Sequence, residues 1–156
     1  MSIRYRNFGL SLAIVGSLFM AACEDSMTEV EDHAEAASMQ LVMNGTTIAT
    51  FTWASNSWAG EMEVEVGEET PHIDVRFYDA DGDEVMFDTT EFYLMVEVED
   101  ETIAEFEQDT PGEFGGHLHG EAAGETDVTF SVMHGSVGSG HADLVTAAVH
   151  AHVETP

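Results

Sequence analysis

Four of the chain's eight histidines lie in one stretch, from Gly115 to Asp143, and imidazole is the commonest protein ligand for metals. His134 and His141 flank a glycine-rich segment, MHGSVGSGHAD, that ends at Asp143. Neutral imidazole combined with carboxylate is a ligand set for Zn(II) or Cu(II) in exported proteins. We therefore expect His134, His141 and Asp143 to bind such an ion. The alternative left open is a long hairpin loop whose histidines simply face water.

The segment DADGDE is the expected source of the remaining ligands. It follows the predicted strand HIDVRFY, and in a β-sandwich its loop falls at the same end as the loop that joins the last two strands. Asp79 or Asp81 is therefore expected to complete the metal shell. The segment also resembles the start of an EF-hand, but the position of the bidentate glutamate is occupied by Thr90. A Ca(II) site is accordingly the weaker alternative, and an ordinary turn is another.

A second group of histidines lies on two predicted strands. His117 and His119 flank Leu118, and His150 and His152 flank Ala151. Alternate residues of a strand face the same way, so both H-x-H pairs are expected to point away from the core. We predict that His117 and His119 form an auxiliary metal-binding pair at the opposite pole of the domain from His134 and His141.

Catalysis is not predicted. The chain has no G-x-S-x-G nucleophile motif, and the serines near the histidines lie in a glycine-rich loop that would not hold a triad rigidly. No helix is evident to follow a phosphate-binding loop. A hydrolase that uses metal-activated water needs an open metal position and a cleft, and the sequence shows neither.

The elements that must position these residues are β-strands. From Ser38 onward, short segments alternate apolar and polar residues, as in MEVEV and IDVRFY, and turn residues separate them. Asn44-Gly45 between two such segments predicts a hairpin. No segment has a helical period. We predict an all-β, Ig-like sandwich of about seven to nine antiparallel strands over residues 38–156.

The segment from Ile103 to Val132 resembles the C-terminal half of bacterial Ig-like domains of the second group (BIG2-type), and the resemblance extends over roughly residues 60–153. The resemblance implies a sandwich fold. Such domains serve as spacers, adhesin modules and sugar binders, so it also implies an alternative function, an interaction module that contacts another envelope protein or a glycan. The matching residues are Ala104, Gly112, Gly120, Ala123, Gly124, Thr126, Val128 and Phe130.

The N-terminus is predicted to be an export signal. Arg4 and Arg6 precede an apolar run, and MAAC at residues 20–23 resembles a bacterial lipobox. This resemblance implies cleavage before Cys23 and lipid attachment to its sulfur, so the membrane is an expected partner through that lipid. We predict a signal peptide over residues 1–22, an acidic flexible tether over residues 23–37, and a lipoprotein anchored to the bacterial cell envelope.

The charge of the chain excludes one class of partner. With 31 acidic and 3 basic residues, the formal net charge is −28, and such a surface repels nucleic acid. The acidity is explained either by solubility at high salt or by attraction of cations. The function predicted from the sequence is therefore a non-catalytic envelope lipoprotein that binds zinc or copper.

Overall fold

A computed structural model describes residues 35–156 of the chain. The predicted signal peptide, Cys23 and the tether up to residue 34 lie outside the described residues. No helix among residues 35–156 is long and apolar enough to cross a membrane.

The described part of the chain contains twelve β-strands. In chain order they are β1 (Ser38–Met43), β2 (Thr46–Thr52), β3 (Ser57–Gly60), β4 (Met62–Glu65), β5 (Ile73–Tyr78), β6 (Glu84–Val85), β7 (Phe92–Val98), β8 (Ala104–Glu107), β9 (Gly115–Gly120), β10 (Gly124–His134), β11 (His141–Val145) and β12 (Val149–Glu154). The first two strands form the predicted hairpin. Its turn residues Asn44 and Gly45 both have positive φ, 52° and 76°, as a two-residue type I′ turn requires.

The strands form two sheets. The seven-stranded sheet has the order β3-β2-β1-β5-β9-β8, with β6 paired to β5. The five-stranded sheet has the order β11-β10-β12-β4, with β7 paired to β10. The strand count exceeds the predicted seven to nine, and one pair, β12 with β4, is parallel rather than antiparallel.

The two sheets pack face to face over one apolar core, which confirms the predicted all-β sandwich. The alternating residues Ile73, Val75 and Phe77 of β5 point inward, as do Val128, Phe130 and Val132 of β10. The ring of Phe130 contacts Trp58 of β3 and Phe106 of β8, at centroid distances of 6.1 and 5.6 Å. These are the two edge strands of the larger sheet, so both of its edges pack against the smaller sheet.

The segment at residues 143–153 forms two strands rather than one. The segment DLVTAAVHAHV reads as one run of alternating residues, but β11 ends at Val145, whose side chain is 50% exposed, and β12 begins at Val149. Thr146 lies between them, and its hydroxyl accepts a hydrogen bond from the Phe130 amide at 3.2 Å. β11 and β12 therefore pair with different parts of the same side of β10.

Candidate metal site

The predicted loop histidines meet as cross-strand neighbours. His134 ends β10, His141 begins β11, and the two residues are paired in register. Their ring centroids lie 5.3 Å apart. Directly opposed residues in an antiparallel pair have adjacent side chains on one face of the sheet, which explains why the two imidazoles meet.

Asp143 joins the two histidines through a β-bulge. Met133 pairs with Ala142 and Val132 pairs with Leu144, so Asp143 is the extra residue on β11. Bulges redirect side chains at the ends of sheets. The Asp143 carboxylate lies 3.1 Å from Nε2 of His141, and its side chain is 1% exposed. Ligand atoms of His134, His141 and Asp143 lie within 4.8 Å of one another.

The environment of His134 is apolar on one side. Its ring stacks on Phe92, its neighbour on β7, with a centroid distance of 4.7 Å and an interplanar angle of 20°. Nδ1 of His134 is buried, and it has no hydrogen-bond partner among residues 35–156. A buried polar atom without a partner costs about 1–3 kcal/mol. This nitrogen is therefore the part of the site that protein hydrogen bonds leave unsatisfied.

The connection between β10 and β11 is held in place rather than loose. The amide of Gly135 donates a hydrogen bond to the Glu91 carbonyl at 2.7 Å. Gly140 packs so closely on the ring of Tyr93 that a Cβ there would lie 2.9 Å from it. The two ends of the connection are therefore in contact with the segment that leads into β7 and with β7 itself.

Asp79 and Asp81 do not complete this site. Oδ1 of Asp79 accepts hydrogen bonds from the amides of Asp81 and Asp83, both at 2.9 Å, so this carboxylate stabilises its own turn. Asp79 and Asp81 instead line a groove with residues 35–37. No cluster of ligand atoms among residues 35–156 combines either aspartate with His134, so the structure does not bring these predicted ligands together.

His117 and His119 face away from the core as predicted, with Leu118 between them fully buried. They do not act as a pair, because each has its own partners. Nε2 of His119 lies 3.3 Å from a Glu107 carboxylate oxygen and 3.7 Å from one of Glu69. His150, on the other sheet, pairs with Asp127 at 2.7 Å. The two H-x-H pairs therefore do not converge.

His117 lies beside His72 instead. The two ring centroids are 5.3 Å apart, and Nε2 of His117 is 3.6 Å from Oδ2 of Asp109. Nδ1 of His117 lies 2.9 Å from the Thr70 carbonyl oxygen. This hydrogen bond, reinforced by the negative charge of Asp109, raises the pKa of His117 above its usual value, although burial opposes the shift.

Sequence reasoning missed Asp109 and Glu113 at this second cluster. They flank the turn DTPGE between β8 and β9, which reads as an ordinary loop. Ligand atoms of His72, Asp109 and Glu113 lie within 4.8 Å of one another. No local signal in the sequence could have found this cluster, because it depends on the pairing of β5 with β9, in which Ile73 opposes Gly116 and thereby brings His72 next to His117.

The two histidine clusters are separate, as predicted. A row of contacting rings runs from Phe77, near the end of β5, through Phe87 and Phe92 to His134. His72 lies at the other end of β5, immediately before its first residue.

The tryptophans of the β2–β3 hairpin belong to the core. Trp53 contacts Phe51 and Phe77, and Trp58 contacts Phe51. The indole nitrogen of Trp58 donates a 2.6 Å hydrogen bond to the Ala147 carbonyl. Packing within the sandwich accounts for both partly buried rings.

Comparisons with known proteins give little beyond this geometry. No protein-family model matches the chain, and no curated protein matches it. Among solved structures, the chain is similar to the crystal structure of the S-layer protein SbsC domains 4 and 5, with 16% sequence identity and a TM-score of 0.43. The match covers 61% of this chain and 47% of that one, so it spans about half of the S-layer fragment.

Proposed function

We propose that this domain is a non-catalytic module that binds a divalent transition metal, Zn(II) or Cu(II), through His134, His141 and Asp143. The observation that carries the proposal is the convergence of these three side chains within 4.8 Å at a bulged strand end. Zn–N and Zn–O bonds of about 2.0–2.2 Å place tetrahedral ligand atoms roughly 3.3 Å apart. The 3.1 Å separation between His141 and Asp143 is close to that spacing.

The buried nitrogen of His134 supports the same proposal. An ion at Nδ1 would give this atom the partner that the surrounding chain does not provide, and would offset its desolvation. The formal charge of −28 favours cation binding in addition, because the field of the whole domain raises the local cation concentration.

The burial of the site favours storage or transport of an ion over catalysis. Asp143 has 1% of its side chain exposed, whereas His141 has 56% exposed. An ion can therefore enter past His141, but a substrate would have to displace packed side chains to reach it. Metal-assisted hydrolysis needs an open coordination position in contact with substrate.

The proposal extends to the location of the protein. The lipobox-like residues 20–23 support lipid attachment at Cys23, which would hold the domain at a bacterial envelope membrane by way of the acidic segment. Expression of the full chain and of Cys23→Ser in a bacterial host tests this part. The parent chain is expected in the membrane fraction with a lipid mass increment, and the variant is expected to lack both.

The metal site is tested with residues 24–156, produced without a tag, since both sheets and their core lie within this span. Bound metal is measured by elemental analysis, and Zn(II) and Cu(II) are titrated by calorimetry. His134→Ala and His141→Ala should each abolish one stoichiometric binding event. His150→Ala, an exposed histidine outside the site, is the control and should leave that event unchanged. A parent chain without tight binding would instead favour the interaction-module alternative.

A further inference from the structure

The pairing of β5 with β9 creates a second cluster that the sequence prediction did not contain. His72 precedes β5, and His117 lies on β9, one position beyond the Ile73–Gly116 pair. The loop between β8 and β9 brings Asp109 and Glu113 over the two rings. Two imidazoles and two carboxylates therefore meet at one place.

The donor atoms of this cluster converge on Asp109. Its Oδ2 lies 3.9 Å from Nε2 of His72 and 3.6 Å from Nε2 of His117. Nε2 of His72 is also 4.0 Å from Oε1 of Glu113, an oxygen that accepts a hydrogen bond from the Asp109 backbone amide, so Glu113 would bind an ion with a carboxylate that is already held in place. These three separations exceed the tetrahedral value of roughly 3.3 Å by about 0.3–0.7 Å. Ligand atoms of His72, Asp109 and Glu113 all lie within 4.8 Å of one another, and His117 reaches this group through Asp109, so an ion would have to draw the His117 ring toward the other ligands.

His117 has a hydrogen-bond partner on its other ring nitrogen, and His72 has a carboxylate close to its own. Nδ1 of His117 donates to the Thr70 carbonyl at 2.9 Å, and Nδ1 of His72 lies 3.4 Å from Oδ1 of Asp74. A backbone carbonyl and a carboxylate are the usual outer partners of metal-binding histidines, because they fix the tautomer and turn Nε2 toward the ion. Nε2 of each ring is the nitrogen that lies within 4.0 Å of the Asp109 carboxylate.

The loop that carries the carboxylates is anchored to the sandwich. The side-chain amide of Gln108 donates hydrogen bonds through Nε2 to the backbone carbonyls of Leu94 and Glu113, at 3.2 and 2.7 Å. Gly115 provides the space for His72, because a Cβ there would collide with the imidazole and lie 2.8 Å from the Ile73 carbonyl oxygen. The cluster is consequently built into the fold rather than assembled from free surface side chains.

We propose that His72, His117, Asp109 and Glu113 form a second metal site, and that it binds Zn(II) with two nitrogen and two oxygen ligands. The coordination is tetrahedral, the arrangement typical of four protein ligands on zinc. The site is more open than the one at His134, since the Asp109 side chain is 64% exposed and that of His72 is 37% exposed. It therefore exchanges zinc faster than the buried site does.

The test uses residues 24–156 carrying both His134→Ala and His141→Ala, so that only the second site remains. Zn(II) is titrated by calorimetry, and Co(II) is added separately because tetrahedral cobalt has intense visible absorption. We expect one equivalent of zinc and a tetrahedral cobalt spectrum. His72→Gln or Asp109→Asn should weaken zinc binding at least tenfold, and Asp74→Asn should weaken it roughly 10–100-fold by releasing the His72 ring.

Asp127→Asn is the matched control, because it changes an exposed aspartate that pairs with a histidine elsewhere, and it should leave the zinc affinity unchanged. Circular dichroism confirms that each variant is folded, and Asp109→Asn, on an exposed loop, keeps the test valid if His72→Gln unfolds. The proposal is overturned if the double variant binds no zinc equivalent, if neither substitution weakens binding, or if Ca(II) competes equally with zinc. If the parent chain binds no metal through His134 but the double variant still binds one equivalent of zinc, only the proposal for the His134 site is refuted.

Discussion

His134 offers a substitution in which stability and metal binding are expected to move in opposite directions. His134→Phe removes the buried, unpaired Nδ1 but keeps an aromatic ring against Phe92, 4.7 Å away. The variant should therefore lose metal binding and, without metal, unfold less readily than the parent chain.

The expected gain follows from the cost of the unpaired atom. Leaving a buried nitrogen without a hydrogen bond costs about 1–3 kcal/mol. Phenylalanine is larger than histidine, and overpacking offsets part of this, so we expect a net gain of about 1 kcal/mol. For a domain of this size, such a gain raises the melting temperature by roughly 3–6 °C. His134→Leu, which loses the ring as well, should be less stable than His134→Phe by about 0.5–1.5 kcal/mol.

Urea unfolding in the presence of a chelator measures the first effect. The same experiment with zinc measures the second, because a ligand at a hundred times its dissociation constant stabilises the native state by about 2.7 kcal/mol. The parent chain should gain this stabilisation at the His134 site, and His134→Phe should lack that increment. His150→Phe is the control for adding a ring at an exposed position, 76% exposed in the parent side chain.

The reasoning is refuted if His134→Phe lowers the free energy of unfolding, measured with the chelator present, by more than about 1 kcal/mol. Such a loss would mean that Nδ1 has a stabilising partner in the metal-free protein. The reasoning is also refuted by a second result. Zinc would then raise the free energy of unfolding of His134→Phe as much as it raises that of a chain in which the His134 site is intact and the second site has been removed.

Three further predictions concern the fold. Leu118→Ala should lower the free energy of urea unfolding by about 2–5 kcal/mol, because Leu118 is 0% exposed between the sheets; a loss below about 1 kcal/mol would contradict this packing. Hydrogen bonds from the Thr102 hydroxyl and amide lower the pKa of Asp100, so their stabilisation is present above about pH 3.9 and is lost as the pH falls through the lowered pKa. The stability difference between the parent and Asp100→Asn should accordingly shrink as the medium becomes more acidic, and a difference that does not change with pH would argue against the assignment. Finally, raising NaCl from about 10 mM to 1 M should raise the melting temperature, because salt screens the repulsion from a net charge of −28; a constant or falling midpoint would show that repulsion is unimportant.

Local patterns predicted the parts of this fold that local physics determines. The alternation Ile73, Val75, Phe77 placed the inner face of β5 correctly, because side-chain direction in a strand follows from sequence position alone. Asn44-Gly45 specified its turn by its tolerance of positive φ. The contact between His134 and His141 followed from the hairpin that joins them.

The errors arose where distant segments meet or where the backbone competes for a side chain. Asp79 has the right chemistry for a metal, but two nearby amides already bind its carboxylate. His72 and Asp109 meet only because β5 pairs with β9 in one particular register, which depends on many weak contacts across the core. The bulge at Asp143 is likewise invisible in the alternation of β11.

The parallel pairing of β12 with β4 affects how the chain reaches this structure. Met62 pairs with Ala151, so β4 has its partner only after nearly the whole domain has been synthesised. Contacts this distant in sequence slow folding, and a waiting strand edge can pair with another molecule. Loss of residues 149–156 would leave both β4 and the first half of β10 without a neighbour. Once the last eight residues have been made, they cover both of these strand edges, and a chain that lacks them is expected to aggregate more readily.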